Sequence, residues 1–158
     1  MLYEQYKTAM FSTAYRITND FDLAHDALQE GFIKVFHNLP KFRGTGTLGS
    51  WIKTIVVRAA LKEVSGLHLH IEVEEGSGGT DVSFDDALTG ELLDELMRQL
   101  PNKCRIVFNL IEVEGFSHKE AAALLGVTVG TSKSQLHYAK NILREKLTNR
   151  GYEERKRG

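Results

Sequence analysis

Residues 116–143 read FSHKEAAALLGVTVGTSKSQLHYAKNIL. Two helix signals meet there across a break. Ser117 followed by Glu120 fits a capping box, in which hydroxyl and carboxylate each satisfy a backbone N–H at a helix start. Gly126 ends that helix, and Thr128 is placed to cap the next one. In the second helix Leu136, Ala139, Leu143 and Leu147 fall on one stripe at about 100° per residue. Gly130, Thr131, Ser134, His137, Tyr138 and Asn141 take the opposite face, with Lys133 at its edge. A short helix, a glycine turn and a helix with such a face is the pattern of a helix-turn-helix, which enters the major groove N-terminal residues first. A glycine at 130 lets the helix end approach phosphates, which free N–H groups and the Thr131 hydroxyl can bond. The solvated face of a plain helical bundle has the same spacing, so both readings stand on this stretch alone.

Working outward, helical spacing covers most of the chain. Tyr6, Met10, Ala14 and Ile17 define a first helix that ends at Asn19-Asp20, and Leu23, Ala27, Leu28, Phe32, Val35 and Phe36 a second that Pro40 stops. After the glycine-rich loop RGTGTLG, a third helix, SWIKTIVVRAALKEV, is expected to bury Ile52, Ile55, Val56 and Ala59. The stretch SGLHLHIEVEEGSGGTDVS has no sustained period and reads as a linker. Helices resume with DALTGELLDELMRQL, Pro101 and KCRIVFNLIEVEG, and no segment makes a convincing strand. The expected fold is all-α: two small helical domains, residues 1–64 and 85–150, a flexible acidic linker at 65–84 and a charged tail at 151–158.

The net charge of −1 hides a segregation. Residues 1–64 carry +2, residues 65–100 carry −8 and residues 101–158 carry +5. Two mildly basic blocks flanking an acidic middle suggest two modules that meet a polyanion, joined by a segment that does not. No apolar run approaches the roughly 18 to 20 residues that span a bilayer, and the N-terminus lacks the features of a signal peptide. The expected compartment is the cytoplasm, with no membrane insertion. The single cysteine, Cys104, excludes an internal disulfide and reads as a small buried hydrophobe. His68 and His70 lie near Glu72, Glu74 and Glu75, but nothing completes a metal shell. Neither a phosphate-binding loop nor a nucleophile–base pair is present, so no cofactor, metal site or catalytic residue is expected.

Three separated segments together resemble the sigma factors of bacterial RNA polymerase, of the small two-domain extracytoplasmic-function (ECF) type. DLAHDALQEGFIKVFHNLPKF is similar to the family's region 2.2 helix with its D-A-x-x-x-x-Q-E-x-F core. RGTGTLGSWIKTIVVRAAL is similar to regions 2.3 and 2.4, and LPNKCRIVFNLIEVEGFSHKEAAALLGVTVGTSKSQLHYAKNILREKL to region 4. The likeness covers roughly residues 1–64 and 85–148, and its Ser-Lys-Ser-Gln and SWIKTIVV wording most resembles Bacteroidota members. It implies a transcription initiation factor, with no bond chemistry of its own, that binds core polymerase and recognises minus-10 and minus-35 elements. The implied partners are the clamp helices of the polymerase's largest subunit, promoter DNA and, commonly in the family, an anti-sigma protein.

By this resemblance Asp22, Asp26, Gln29 and Glu30 face the clamp, where acids and an amide pair with arginines. Lys41, Arg43, Thr45, Thr47, Thr54 and Arg58 hold the melted minus-10 strand. Thr131, Lys133, Ser134, His137 and Tyr138 meet the minus-35 element, with Arg144 flanking it. Trp51 and Phe42, which invite a stacking role, are more simply core residues. One departure stands out: the family commonly has Asn where this chain has Arg58 and an acid where it has Lys62. A donor-only guanidinium there replaces base recognition by phosphate or stacking contacts. A helix-turn-helix regulator, or a sigma-like protein without initiation activity, is the alternative, but it has no need for the D-A-x-x-x-x-Q-E helix and the glycine-rich loop that follows.

Overall fold

The computed structural model describes residues 1–65 and 90–149. The linker expected at 65–84, apart from Ser65, and the tail at 151–158 lie outside these residues, as do His68, His70, Glu72, Glu74 and Glu75. Among the described residues there are seven α-helices and no strand. The chain divides into two compact units, Met1–His70 and Ile71–Gly158.

The first unit is a bundle of α1 (Leu2–Thr18), α2 (Phe21–Asn38) and α3 (Leu48–Ser65). The α1–α2 corner is made by two adjacent residues. Asn19 takes a left-handed conformation (φ 52°) and closes α1 by donating its N–H to the Tyr15 carbonyl, while the Asp20 carboxylate accepts from the Leu23 N–H and caps α2. The core between the helices is built from Ala14 and Ile17, Ala27, Leu28, Phe32 and Val35, and Ile52, Val56, Val57 and Ala60, all buried. Gly31 sets the closeness of α2 and α3: a Cβ there would meet Val56 Cγ2 at 3.1 Å and Val56 Cα at 3.3 Å. Phe42 packs its ring on Trp51, centroids 5.1 Å apart, so both tie the loop to α3. Two expected core positions differ. Phe36, one step round α2 from Val35, is 50% exposed, and Ile55 is only half-buried.

The second unit contains α4 (Gly90–Arg98), α5 (Asn102–Phe108), α6 (His118–Leu125) and α7 (Val129–Asn149). Leu96, Leu100, Cys104, Val107 and Phe108 pack on the apolar stripe of α7, Leu136, Ala139 and Leu143, with Leu147 at its margin. Burial pushes the Cys104 thiol up to about 11, so it is a protonated, unreactive core group at neutral pH. After α5 the chain widens into a π-helical turn, Asn109–Val113, with Glu114 N–H bonding Asn109 O at 2.8 Å before Gly115 (φ +79°) turns the backbone. That turn delivers the chain to the N-cap of α6.

Candidate functional site

The α6–α7 junction is built by local chemistry. Ser117 Oγ accepts from Glu120 N–H at 3.1 Å and Glu120 Oε1 accepts from Ser117 N–H at 3.2 Å, the reciprocal capping box. Gly126 closes α6 at φ +68°. Thr128 Oγ1 then accepts from Thr131 N–H at 3.1 Å and lies 2.9 Å from the Thr131 hydroxyl, capping α7. Gly130 is exposed, and a Cβ there would meet only Thr128 Oγ1, at an ordinary 3.8 Å. Nothing inside this unit requires glycine at 130. Its absent side chain costs helix propensity and leaves the start of α7 open to approach from outside.

The expected reading residues do share one face of α7. Lys133 is exposed, Tyr138 is 49% exposed, and Thr131, Ser134 and His137 are half-buried. His137 Nε2 lies 3.1 Å from Asn141 Nδ2, which fixes the imidazole along the helix. Between Val129 and Arg144 the helix carries no acid, while Lys133, Lys140 and Arg144 are basic. Lys140, though, is committed to Glu112 at 3.0 Å. The residue that the spacing passed over is Ser132, which is wholly buried against α6.

In the first unit, Asp22, Asp26 and Gln29 are exposed on α2, as expected. Glu30 behaves differently. Its Oε1 accepts from Lys62 Nζ at 2.9 Å and from Lys34 Nζ at 3.2 Å, so it bridges α2 to α3. Those hydrogen bonds, the one from Lys62 first, hold its carboxyl below the ordinary carboxylate range. Lys62 thus has a partner inside the unit. The exposed stripe continues instead through Ile33 (59% exposed) and Phe36 (50%), each three or four residues beyond the last. The periodic reading placed Phe36 in the apolar pattern and did not single out Ile33; the i, i+4, i+7, i+11, i+14 series from Asp22 was the available signal.

The loop expected to meet single-stranded DNA leaves Lys41, Arg43 and Thr45 exposed, with Thr45 between Gly44 (φ +72°) and Gly46 (φ +89°). Thr47 has a structural duty: its Oγ1 accepts from Ser50 N–H at 3.1 Å and donates to Ser50 Oγ at 2.9 Å, capping α3. The Thr54 hydroxyl donates to Ser50 O at 3.0 Å, and Arg58, one turn further on, is exposed. Among the described residues no group of three or more His, Cys, Asp or Glu side chains could hold a metal ion, and no helix is long and apolar enough to cross a membrane.

Two family patterns match this architecture: Sigma-70 region 2 over residues 2–67 and Sigma-70, region 4 over residues 90–143. The ECF RNA polymerase sigma factor SigE of Mycolicibacterium smegmatis is 28% identical, over 92% of this chain and 60% of SigE. The RNA polymerase sigma factor YlaC of Bacillus subtilis is 26% identical, over 98% of this chain and 94% of YlaC. The chain thus spans less than two thirds of one relative and nearly all of the other. In fold it resembles the sigma factor RpoE in complex with the anti-sigma factor NepR from Bartonella quintana, with a TM-score of 0.57 at 24% identity over 92% of this chain and 94% of that one. CnrH, solved with the cytosolic domain of CnrY, gives 0.56 at 19% identity over 94% and 86%. These relatives do not bear on the likeness to Bacteroidota members. With region 2 and region 4 each matched on its own helical unit, and ECF sigma factors as relatives along nearly the whole chain, the chain belongs to the sigma-70 family of transcription initiation factors, as a sigma factor of the ECF type.

Proposed function

We propose that this chain binds core RNA polymerase through the outward face of α2 and reads promoter DNA with the 41–58 segment and the outward face of α7. The observation that carries the reading is the pairing of opposite surfaces: exposed Asp22 and Asp26 on α2, and an acid-free polar face from Val129 to Arg144 on α7. Acids repel a polyanion but pair with basic helices of a protein, and hydroxyl, amide, imidazole and ammonium groups suit phosphates and base edges. Asp22, Asp26 and Gln29 are the polymerase contacts, extended by Ile33 and Phe36, while Glu30 acts through the Lys62 bridge by holding α2 against α3. Lys41, Arg43 and Thr45 meet the melted minus-10 strand from the loop, Thr54 and Arg58 from α3, and Thr47 by holding the start of α3. Thr131, Lys133, Ser134, His137 and Tyr138 meet the minus-35 element.

The division of labour is residues 1–64 for core and minus-10 binding and 85–150 for minus-35 binding, with 65–84 as a linker and 151–158 as a charged tail. The chain works in the cytoplasm with the polymerase and performs no bond chemistry. RpoE of Bartonella quintana was solved with an anti-sigma factor, and a partner of that kind is assigned here too, acting by covering the DNA-facing surfaces. Transcription in vitro with purified core polymerase tests the proposal: promoter-specific transcripts that require both proteins are expected. Sequence-specific DNA binding by the chain alone, with no initiation alongside core, would instead make it a helix-turn-helix regulator.

A further inference from the structure

Ser132 is wholly buried in the first turn of α7, and its Oγ lies 2.8 Å from Nδ1 of His118, the first residue of α6. A buried hydroxyl without a partner costs stability, so the imidazole satisfies it. The surroundings give the bond more to do. On α6, Ala121 and Ala122 are small buried side chains and Leu125 packs on the core that holds Leu136, Ala139 and Leu143, so apolar interlocking acts on α7 mainly beyond its first turn. A hydrogen bond is directional and resists rotation of that turn. Ser132 also sits between Thr131 and Lys133, and Ser134 follows, so whatever turns Ser132 about the α7 axis turns the DNA-facing residues with it. Backbone atoms lie about 2.3 Å from a helix axis and side-chain tips about 5–6 Å, so a displacement at the backbone is roughly doubled where a base edge would be touched.

From this geometry we infer that His118, which does not face DNA, is a positioning residue that sets the rotation of the reading helix through Ser132. The inference rests on α7 being the minus-35 reader. It carries a pH dependence. The groups facing the imidazole are Lys133 and Lys140 from α7 and Glu112 from the preceding turn, with Glu112 already paired to Lys140. Lys119 and Glu120 lie on its own helix. Burial, then Lys133 and Lys140, favour the neutral ring over the opposing pull of Glu112, so His118 titrates below the ordinary imidazole value. A neutral ring can accept the Ser132 proton at Nδ1 or donate to its oxygen, according to tautomer; a protonated ring can only donate, and it places a further charge beside Lys133. The seating of α7 is therefore complete above the ordinary histidine pKa and is weakened by the added charge as pH falls through the depressed one.

Two variants separate positioning from bulk. His118→Phe keeps a ring and removes the bond. His118→Asn sets an amide group where Nδ1 was, keeping a partner for Ser132 that does not titrate. The measurement uses the full chain assembled with core polymerase. It reads preference for the minus-35 sequence that the wild-type holoenzyme selects from a randomised library over a scrambled one. At about pH 7.5 His118→Phe should lose roughly tenfold in preference while His118→Asn stays within about twofold, the size expected for one neutral hydrogen bond. Between about pH 7.5 and pH 5.5 wild-type preference should fall more than that of His118→Asn, which keeps His137 on the same face. Undiminished preference in His118→Phe, or equal pH profiles for wild type and His118→Asn, overturns the positioning role; the second comparison stands even if His118→Phe does not fold. A wild-type holoenzyme that selects no minus-35 sequence overturns the assignment of α7 itself, and this inference with it.

Discussion

The outward faces of α2 and α7 are both single helix surfaces left uncovered within their units, yet their chemistries are opposed. From Asp22 to Phe36 the α2 stripe runs from two carboxylates and an amide to two large exposed hydrophobics. From Thr131 to Tyr138 the α7 face has hydroxyls, an imidazole, a lysine and a phenol, and no acid. Exposed apolar and aromatic side chains beside charges suit a protein groove, where anchors are desolvated. A face purged of carboxylate suits a polyanion, whose binding scales with the cations it meets. Each helix turns a large apolar stripe inward, so burial cannot distinguish their roles. The outward residues do.

That contrast is broken most severely by lesions in the two cores. Leu143→Ala empties a fully buried site beneath the reading face, and core Leu→Ala changes cost about 2–5 kcal/mol. Amide exchange should accelerate across α5 and α7 and leave α1–α3 unchanged. Gly31→Leu drives a side chain into Val56, and overpacking of this kind costs about 1–3 kcal/mol. Its exchange signature should be confined to α1–α3, with weakened binding to core polymerase and region 4 amides unaffected.

A finer change sharpens the DNA side. Arg58→Asn should raise base discrimination within the minus-10 element by about twofold to fivefold in a promoter-opening assay, since a short amide carries both donor and acceptor. It should also flatten the salt slope by about one phosphate equivalent. Constancy of both would remove Arg58 from the DNA face. The smallest effect belongs to Lys62→Ala. Glu30 has a depressed pKa in the fold, so the bridge stabilises above the ordinary carboxylate range and is lost as pH falls through the folded value. Carboxyl-carbon NMR should show the Glu30 titration moving up in Lys62→Ala, with a slight stability loss at neutral pH that vanishes in acid.

What the sequence made legible was local. Ser117 with Glu120, Gly126 and Thr128 announce their caps, because the groups they satisfy lie within three or four residues. The apolar stripe of α7 follows from helical angle alone. What it hid were pairs made by packing: Glu30 with Lys62, separated by 32 positions, and His118 with Ser132, separated by 14. No periodicity encodes which helix will lie opposite. Phe36 was misread for a related reason. It sits one step round from buried Val35, and only the position of α3 decides where burial stops. The π-helical turn at Asn109–Val113 was equally hidden, since its i→i+5 bond depends on how the chain leaves through Gly115.

The central claim, that α2 serves the polymerase and α7 serves the DNA, is tested most directly by one crossed measurement on Asp26→Arg and Tyr138→Ala. For each variant, affinity for core polymerase is titrated, and minus-35 preference is read on holoenzyme assembled at saturating protein. Asp26→Arg should weaken core binding by about tenfold, as reversal of an interfacial charge does, and leave preference intact once assembled. Tyr138→Ala should leave core affinity intact and reduce preference by about 1–3 kcal/mol at the bases it touches. Unchanged core affinity in Asp26→Arg, or a Tyr138→Ala holoenzyme with the parent's preference, would contradict the assignment of that face.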